Sequence, residues 1–238
     1  MSEQQIVSTV ELEIIDNSKR AKLLKTVFWS LMVLAVIGLV PGYLEIQLLK
    51  RAQLGDFISE SEVNTSDAIQ GVIGMLQFVI YIVSVVVFLN WFRRAYGNLH
   101  RLKVPLDHKE SMAVWTWFIP FIVLFRPVQI MNEIWSKTQA VIKKFNPFYA
   151  KTSGKLIIGA WWALFLISNF VGKYVLKTAF KQDTIEDLIN GSQAILYSDL
   201  IQIPEALLVI LIVSKVSRME TMLAEEIKKG GGRVLDKK

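Results

Sequence analysis

Four uninterrupted apolar stretches constrain this chain more than any other feature. About 20 helical residues are needed to cross roughly 30 Å of hydrocarbon. Stretches of that length occupy residues 26–44, 69–92, 156–176 and 194–213. Each is continuous, whereas barrel strands alternate apolar and polar positions, so a β-barrel is excluded. The expected fold is all-α: an integral membrane four-helix bundle. The first stretch reads as a retained anchor rather than a cleaved leader. A long basic segment precedes it, and Pro41-Gly42-Tyr43-Leu44-Glu45 offers no small-x-small cleavage site.

The net charge of +6 is distributed around these stretches. Of the Lys and Arg residues, 22 fall in residues 1–25, 93–155 and 215–238, and the other five, Lys50, Arg51, Lys173, Lys177 and Lys181, fall toward the opposite side. The positive-inside rule then places both termini and the long middle loop in the cytoplasm. The expected organisation is a tail over 1–25, a membrane domain over 26–218, and a helix end with a basic tail over 219–238. Gly230-Gly231-Gly232 reads as a flexible break.

The middle loop holds a fifth apolar stretch over 112–125. It is too short to span, is broken by Pro120 and is closed by Arg126-Pro127. A re-entrant or interfacial segment is expected there. Residues 128–145 follow as an amphipathic helix. Ile130, Met131, Ile134, Trp135, Val141, Ile142 and Phe145 form one stripe, opposed by Glu133, Lys137, Lys143 and Lys144. Such a helix lies in the headgroup layer, or it packs against the rest of the protein. Trp91, Arg93, Arg94 and Tyr96 form an aromatic and cationic exit from the second stretch, suited to anionic headgroups. Basic and aromatic residues tied to a bilayer surface give no nucleic-acid module.

Several of these motifs recur together. Trp91-Phe92-Arg93-Arg94-Ala95-Tyr96-Gly97-Asn98-Leu99, Trp115-Thr116-Trp117-Phe118-Ile119-Pro120, Phe125-Arg126-Pro127, Glu133-Ile134-Trp135 and the run Trp161 to Asn169 resemble the bacterial membrane family catalogued as domain of unknown function 4328. The resemblance covers roughly Ile69 to Arg218. It implies a bacterial multi-helix membrane protein, expected in the cytoplasmic membrane from the charge placement, and supplies no activity.

Polar groups at membrane depth are costly and need a partner or a purpose. Asp199, Gln202 and Glu205 stand three residues apart along one side of the fourth stretch. Gln70, Gln77, Asn169 and Lys173 fall in the same half of the membrane. These seven are expected to gather inside the bundle, with Lys173 paired to Asp199. The cluster reads as structural, as a ligand or lipid pocket, or as an ion path.

With no cysteine, thiolate chemistry is excluded. His100 and His108 read as a solvated pair, and no phosphate loop, nucleophile elbow or metal spacing appears. No catalytic residue, metal or cofactor is expected. The expected role is a non-catalytic sensor, scaffold or docking protein. Its partners would be membrane lipids, a second copy or another membrane protein. The alternative is a small oligomeric transporter or channel subunit.

Overall fold

The computed structural model describes residues 13–230 and 233–235. A short strand β1 (Glu13–Ile15) leads into helices α1 (Ser18–Gln53) and α2 (Glu60–Arg101). A one-turn helix α3 (Met112–Trp115) and a 3-10 turn (Ile122–Leu124) precede α4 (Arg126–Phe145). Then come α5 (Lys155–Ala179), α6 (Ile185–Lys229) and the strand β2 (Arg233–Leu235). Helices α1, α2, α5 and α6 are long and apolar enough to cross a membrane.

The helices outrun the apolar stretches because hydropathy marks only the part that suits hydrocarbon. The 45 residues of α6 extend about 67 Å at a rise of 1.5 Å per residue, roughly twice the hydrocarbon thickness. Their ends are set by capping chemistry. Helix α1 closes at Gly55, at φ 86°, with the Asp56 N–H donating to the Arg51 carbonyl at 3.1 Å. Helix α2 opens with a capping box. The Ser59 N–H donates to Glu62 Oε2 at 3.0 Å, and the Glu62 N–H donates to Ser59 Oγ at 3.2 Å. Thr184 and Asp187 reproduce that reciprocity at the start of α6.

The chain divides into two compact units. The spanning unit comprises Arg20–Leu89 and Lys155–Ser214. Within it α1 buries Ala21, Leu24, Val27, Leu31, Ala35, Gly38, Gly42 and Ile46. Steps of three and four keep these residues on one helical face, and the small ones among them allow close helix approach. Large apolar side chains such as Val36, Val40, Met75, Phe78 and Phe170 face outward, as they would toward lipid.

The terminal unit comprises residues 13–19, 90–154 and 215–235 among those described. Its core holds Trp91, Phe92, Tyr96 and Leu99 of α2 with Ile130, Met131, Ile134, Trp135 and Ile142 of α4. The amphipathic stripe of α4 is therefore covered by protein, the second of the two placements its pattern allowed. Trp91 and Tyr96, each 0% exposed, likewise are core residues rather than headgroup anchors. Apolar surface is satisfied equally by lipid and by protein, and here protein covers it. The Trp135 indole N–H donates to the Thr152 carbonyl at 3.0 Å, and Lys215 sits 5.9 Å over its ring. A Cβ at Gly154 would stand 2.6 Å from that ring, so only glycine fits there.

Strands β1 and β2 pair in parallel, with Ile14 opposite Val234. This pairs residues 13–15 with 233–235, inside segments that the sequence suggested were plain tails. Gly231 and Gly232, within the expected flexible break, lie outside the described residues.

Candidate functional site

Three polar rungs line the spanning unit, each joining α6 to a different helix. Glu45 of α1 lies beside Ser192. Gln77 of α2 donates from Nε2 to Asp199 Oδ1 at 3.0 Å. Ser168 of α5 donates to Glu205 Oε2, and Tyr81 of α2 lies within electrostatic reach of that carboxylate. From Ser192 to Glu205 the rungs cover about 20 Å along α6 at helical rise.

Asp199 is 7% exposed and fits because α1 presents a glycine to it. A Cβ at Gly38 would stand 2.7 Å from Asp199 Oδ2 and 3.2 Å from Gln77 Nε2. Gln70 lies near Gly42, its Nε2 buried without a partner. Gln202 is half-buried on the same helix as Asp199.

Lys173 and Asn169 do not join this group. Both are exposed on α5. Lys173 sits 5.9 Å over the Phe170 ring, and Asn169 donates back to the Phe165 carbonyl at 2.7 Å. The expected Lys173–Asp199 ion pair is replaced by the Gln77–Asp199 hydrogen bond. Adjacent residues on a helix point about 100° apart, so α5 turns Ser168 inward and Asn169 outward.

In the terminal unit the motif residues form two networks. In the first, Tyr96 Oη donates to Glu133 Oε2 at 2.6 Å, and Glu133 Oε1 accepts the Asp107 N–H at 2.8 Å. Burial and the Glu133 carboxylate push the Tyr96 phenol well above its usual range. Arg126 Nη1 lies 2.8 Å from His108 Nδ1, while His100 meets the Tyr96 ring edge-on at 4.9 Å. Both histidines are part-buried in these contacts, which corrects the solvated-pair expectation. Arg93 reaches Glu110 at 4.0 Å on the surface.

The second network ties the chain's beginning to α2 and α6. The Asn98 carboxamide acts as a third strand for β1: it accepts the Ile15 N–H at 3.0 Å and donates to the Ile15 carbonyl at 2.8 Å. Asn17 Nδ2 donates to the Trp91 carbonyl at 3.3 Å and to Glu220 Oε2 at 3.1 Å. Glu220 lies seven residues past the fourth apolar stretch, outside the hydrocarbon-length segment. Burial pushes its carboxyl up to about 7 despite hydrogen bonds from Asn17 and Asn98. Asn17 and Glu220 were missed in the sequence because neither stands in an apolar pattern. The weak signal was the Ile14-Ile15 pair before Asn17, matched by Val234-Leu235 at the far end.

The segment between α3 and α4 is an exposed aromatic loop. Trp115, Phe118, Phe121, Leu124 and Phe125 are all exposed, and Trp117 packs edge-on against Phe92. The Ile122 N–H donates to the Pro120 carbonyl at 2.8 Å, with Phe121 between them at φ 63°, ψ −43°. That is a γ-turn of the rare strained hand. Pro120 itself is exposed, while Pro127 is buried in the first turn of α4.

Membrane-length helices and outward-facing apolar side chains define a mainly helical membrane protein. More narrowly, the family model described as Domain of unknown function (DUF4328) matches residues 55–218, and the chain belongs to that family. No curated protein and no solved structure matches it. The Tyr96, Asn98 and Glu133 contacts use residues inside the match, whereas β1, Asn17, Glu220 and β2 lie outside it.

Proposed function

We propose that this protein is a non-catalytic docking or sensing protein of the bacterial cytoplasmic membrane, with both termini inside. In this reading the spanning unit anchors the chain. The aromatic loop over 112–125 rests in the inner leaflet, and the basic face of the terminal unit receives a partner. The observation that carries it is the loop. An aromatic residue 79% exposed at the apex of a strained turn, Phe121, suits a lipid interface far better than water. The exposed cations Arg101, Lys103, Lys109, Lys143 and Lys144 supply attraction to anionic headgroups or an acidic partner.

The absence of cysteine permits a clean test. Phe118→Cys carrying a spin label, in liposomes containing phosphatidylglycerol, is expected to collide with oxygen more than with a water-soluble nickel chelate. The opposite ranking removes the reading. A second reading, an oligomeric transporter or channel subunit, draws on the acid rungs along α6. Proton flux into liposomes that disappears in Glu205→Gln would support it.

A further inference from the structure

We propose that the terminal unit holds a binding site for a small organic cation bearing N–H donors, in the cavity framed by β1, the start of α1, Asn98 and the last turns of α6. The cavity has a volume of about 400 Å³, within the range of ligand pockets. Its lining shares no residue with the loop over 112–125 or with the acid rungs.

Two independent observations define its chemistry. The first is charge. Among the described residues the lining carries Asp16, Glu220 and Glu225 against one cation, Lys228. The second is an orphaned acceptor. Asn17, a lining residue 3% exposed, uses Nδ2 on two acceptors, so its amide orientation is fixed, and its Oδ1 is buried without any donor. A buried acceptor left unpaired is destabilising. A ligand N–H donor is the group that would satisfy it. Asp16 spends both carboxylate oxygens on Ser18, at 3.1 Å and 2.6 Å, whereas the two Glu220 oxygens share the single Asn17 amide, at 3.3 Å and 3.1 Å, so Glu220, with the exposed Glu225 beside it in the lining, keeps acceptor capacity for a ligand cation. Ile14, Ile15 and Val234 add an apolar side, which suits the alkyl part of an amine.

The walls come from the beginning of the chain, from α2 and from its end. A ligand seated there would clamp β1 to the last turns of α6, and occupancy would stabilise the whole network.

Butylammonium is the probe, with tetramethylammonium as a cation of like charge that lacks N–H donors. Full-length protein in detergent is titrated with each, read by thermal unfolding and by saturation-transfer NMR on the probe. Butylammonium is expected to bind saturably and raise Tm, and tetramethylammonium is not. Glu220→Gln should weaken butylammonium at least tenfold. Thr221→Phe, a change at an exposed wall residue, should fill the cavity and abolish binding. No saturable signal in the wild type, equal response to both cations, or unchanged affinity in Glu220→Gln each overturns the proposal. Should Thr221→Phe fail to fold, the Glu220→Gln affinity alone decides.

Discussion

Single side chains set the tolerances of both units. Gly38→Ala drives a Cβ against a buried carboxylate and the amide that serves it. It should destabilise the protein by about 1–3 kcal/mol, the usual cost of overpacking. Gly159→Ala, with nothing within 4 Å, is the control; there the better helix former should be neutral or stabilising by up to about 1 kcal/mol. Thermal unfolding in detergent distinguishes them, and equal behaviour would mean Gly38 is not a contact glycine. Glu220 gives a pH dependence. Its carboxyl rises from 4.5 to about 7, so between those values the folded state holds a proton that the unfolded state has lost. Stability from this group therefore falls as pH rises through that window. Asp16 opposes ionisation and Arg94 of α2 favours it. Glu220→Gln has no such proton to lose, so its Tm advantage over wild type should widen from pH 5 to pH 8. A constant difference across that range would refute the placement of this carboxyl. At this scale the sequence was a poor guide. It separated Asn169 from Ser168 wrongly because a one-residue shift reverses which side chain faces inward.

Elements were legible where a period or a length carried them, and their surroundings were not. The apolar lengths identified α1, α2, α5 and α6 because hydrocarbon thickness is a fixed ruler. The 3.6-residue stripe of α4 was equally plain. That stripe does not say whether lipid or protein covers it, because both media reward the same side chains. The strands β1 and β2 were invisible: three residues are too few for a period, and their stability is borrowed from Asn98. Asn98→Ala tests that dependence. Two buried backbone groups of Ile15 would lose their partners, at a cost of about 1–3 kcal/mol. Hydrogen exchange over residues 13–17 should accelerate while exchange within α4 stays unchanged. Unaltered protection at Ile15 would mean that pairing with β2 suffices to hold the strand.

At the scale of the whole molecule, the Phe121 turn sets stability against docking. A non-glycine residue in that conformation carries about 1–3 kcal/mol of strain, and nothing in the sequence beyond Pro120 announced it. Evolutionary economy would favour glycine there unless the ring has a use, and lipid insertion is the use proposed above. Phe121→Gly separates the two effects. Relief of the strain should raise Tm in detergent, where no bilayer rewards the aromatic ring. In phosphatidylglycerol liposomes the same change should shift a spin label at position 118 toward the nickel chelate, as the loop loses its deepest side chain. A variant that is more stable and just as deep would show that Phe121 does not insert. One that is less stable in detergent would show that its ring packs against the protein, and the strain would then need a purpose other than the membrane.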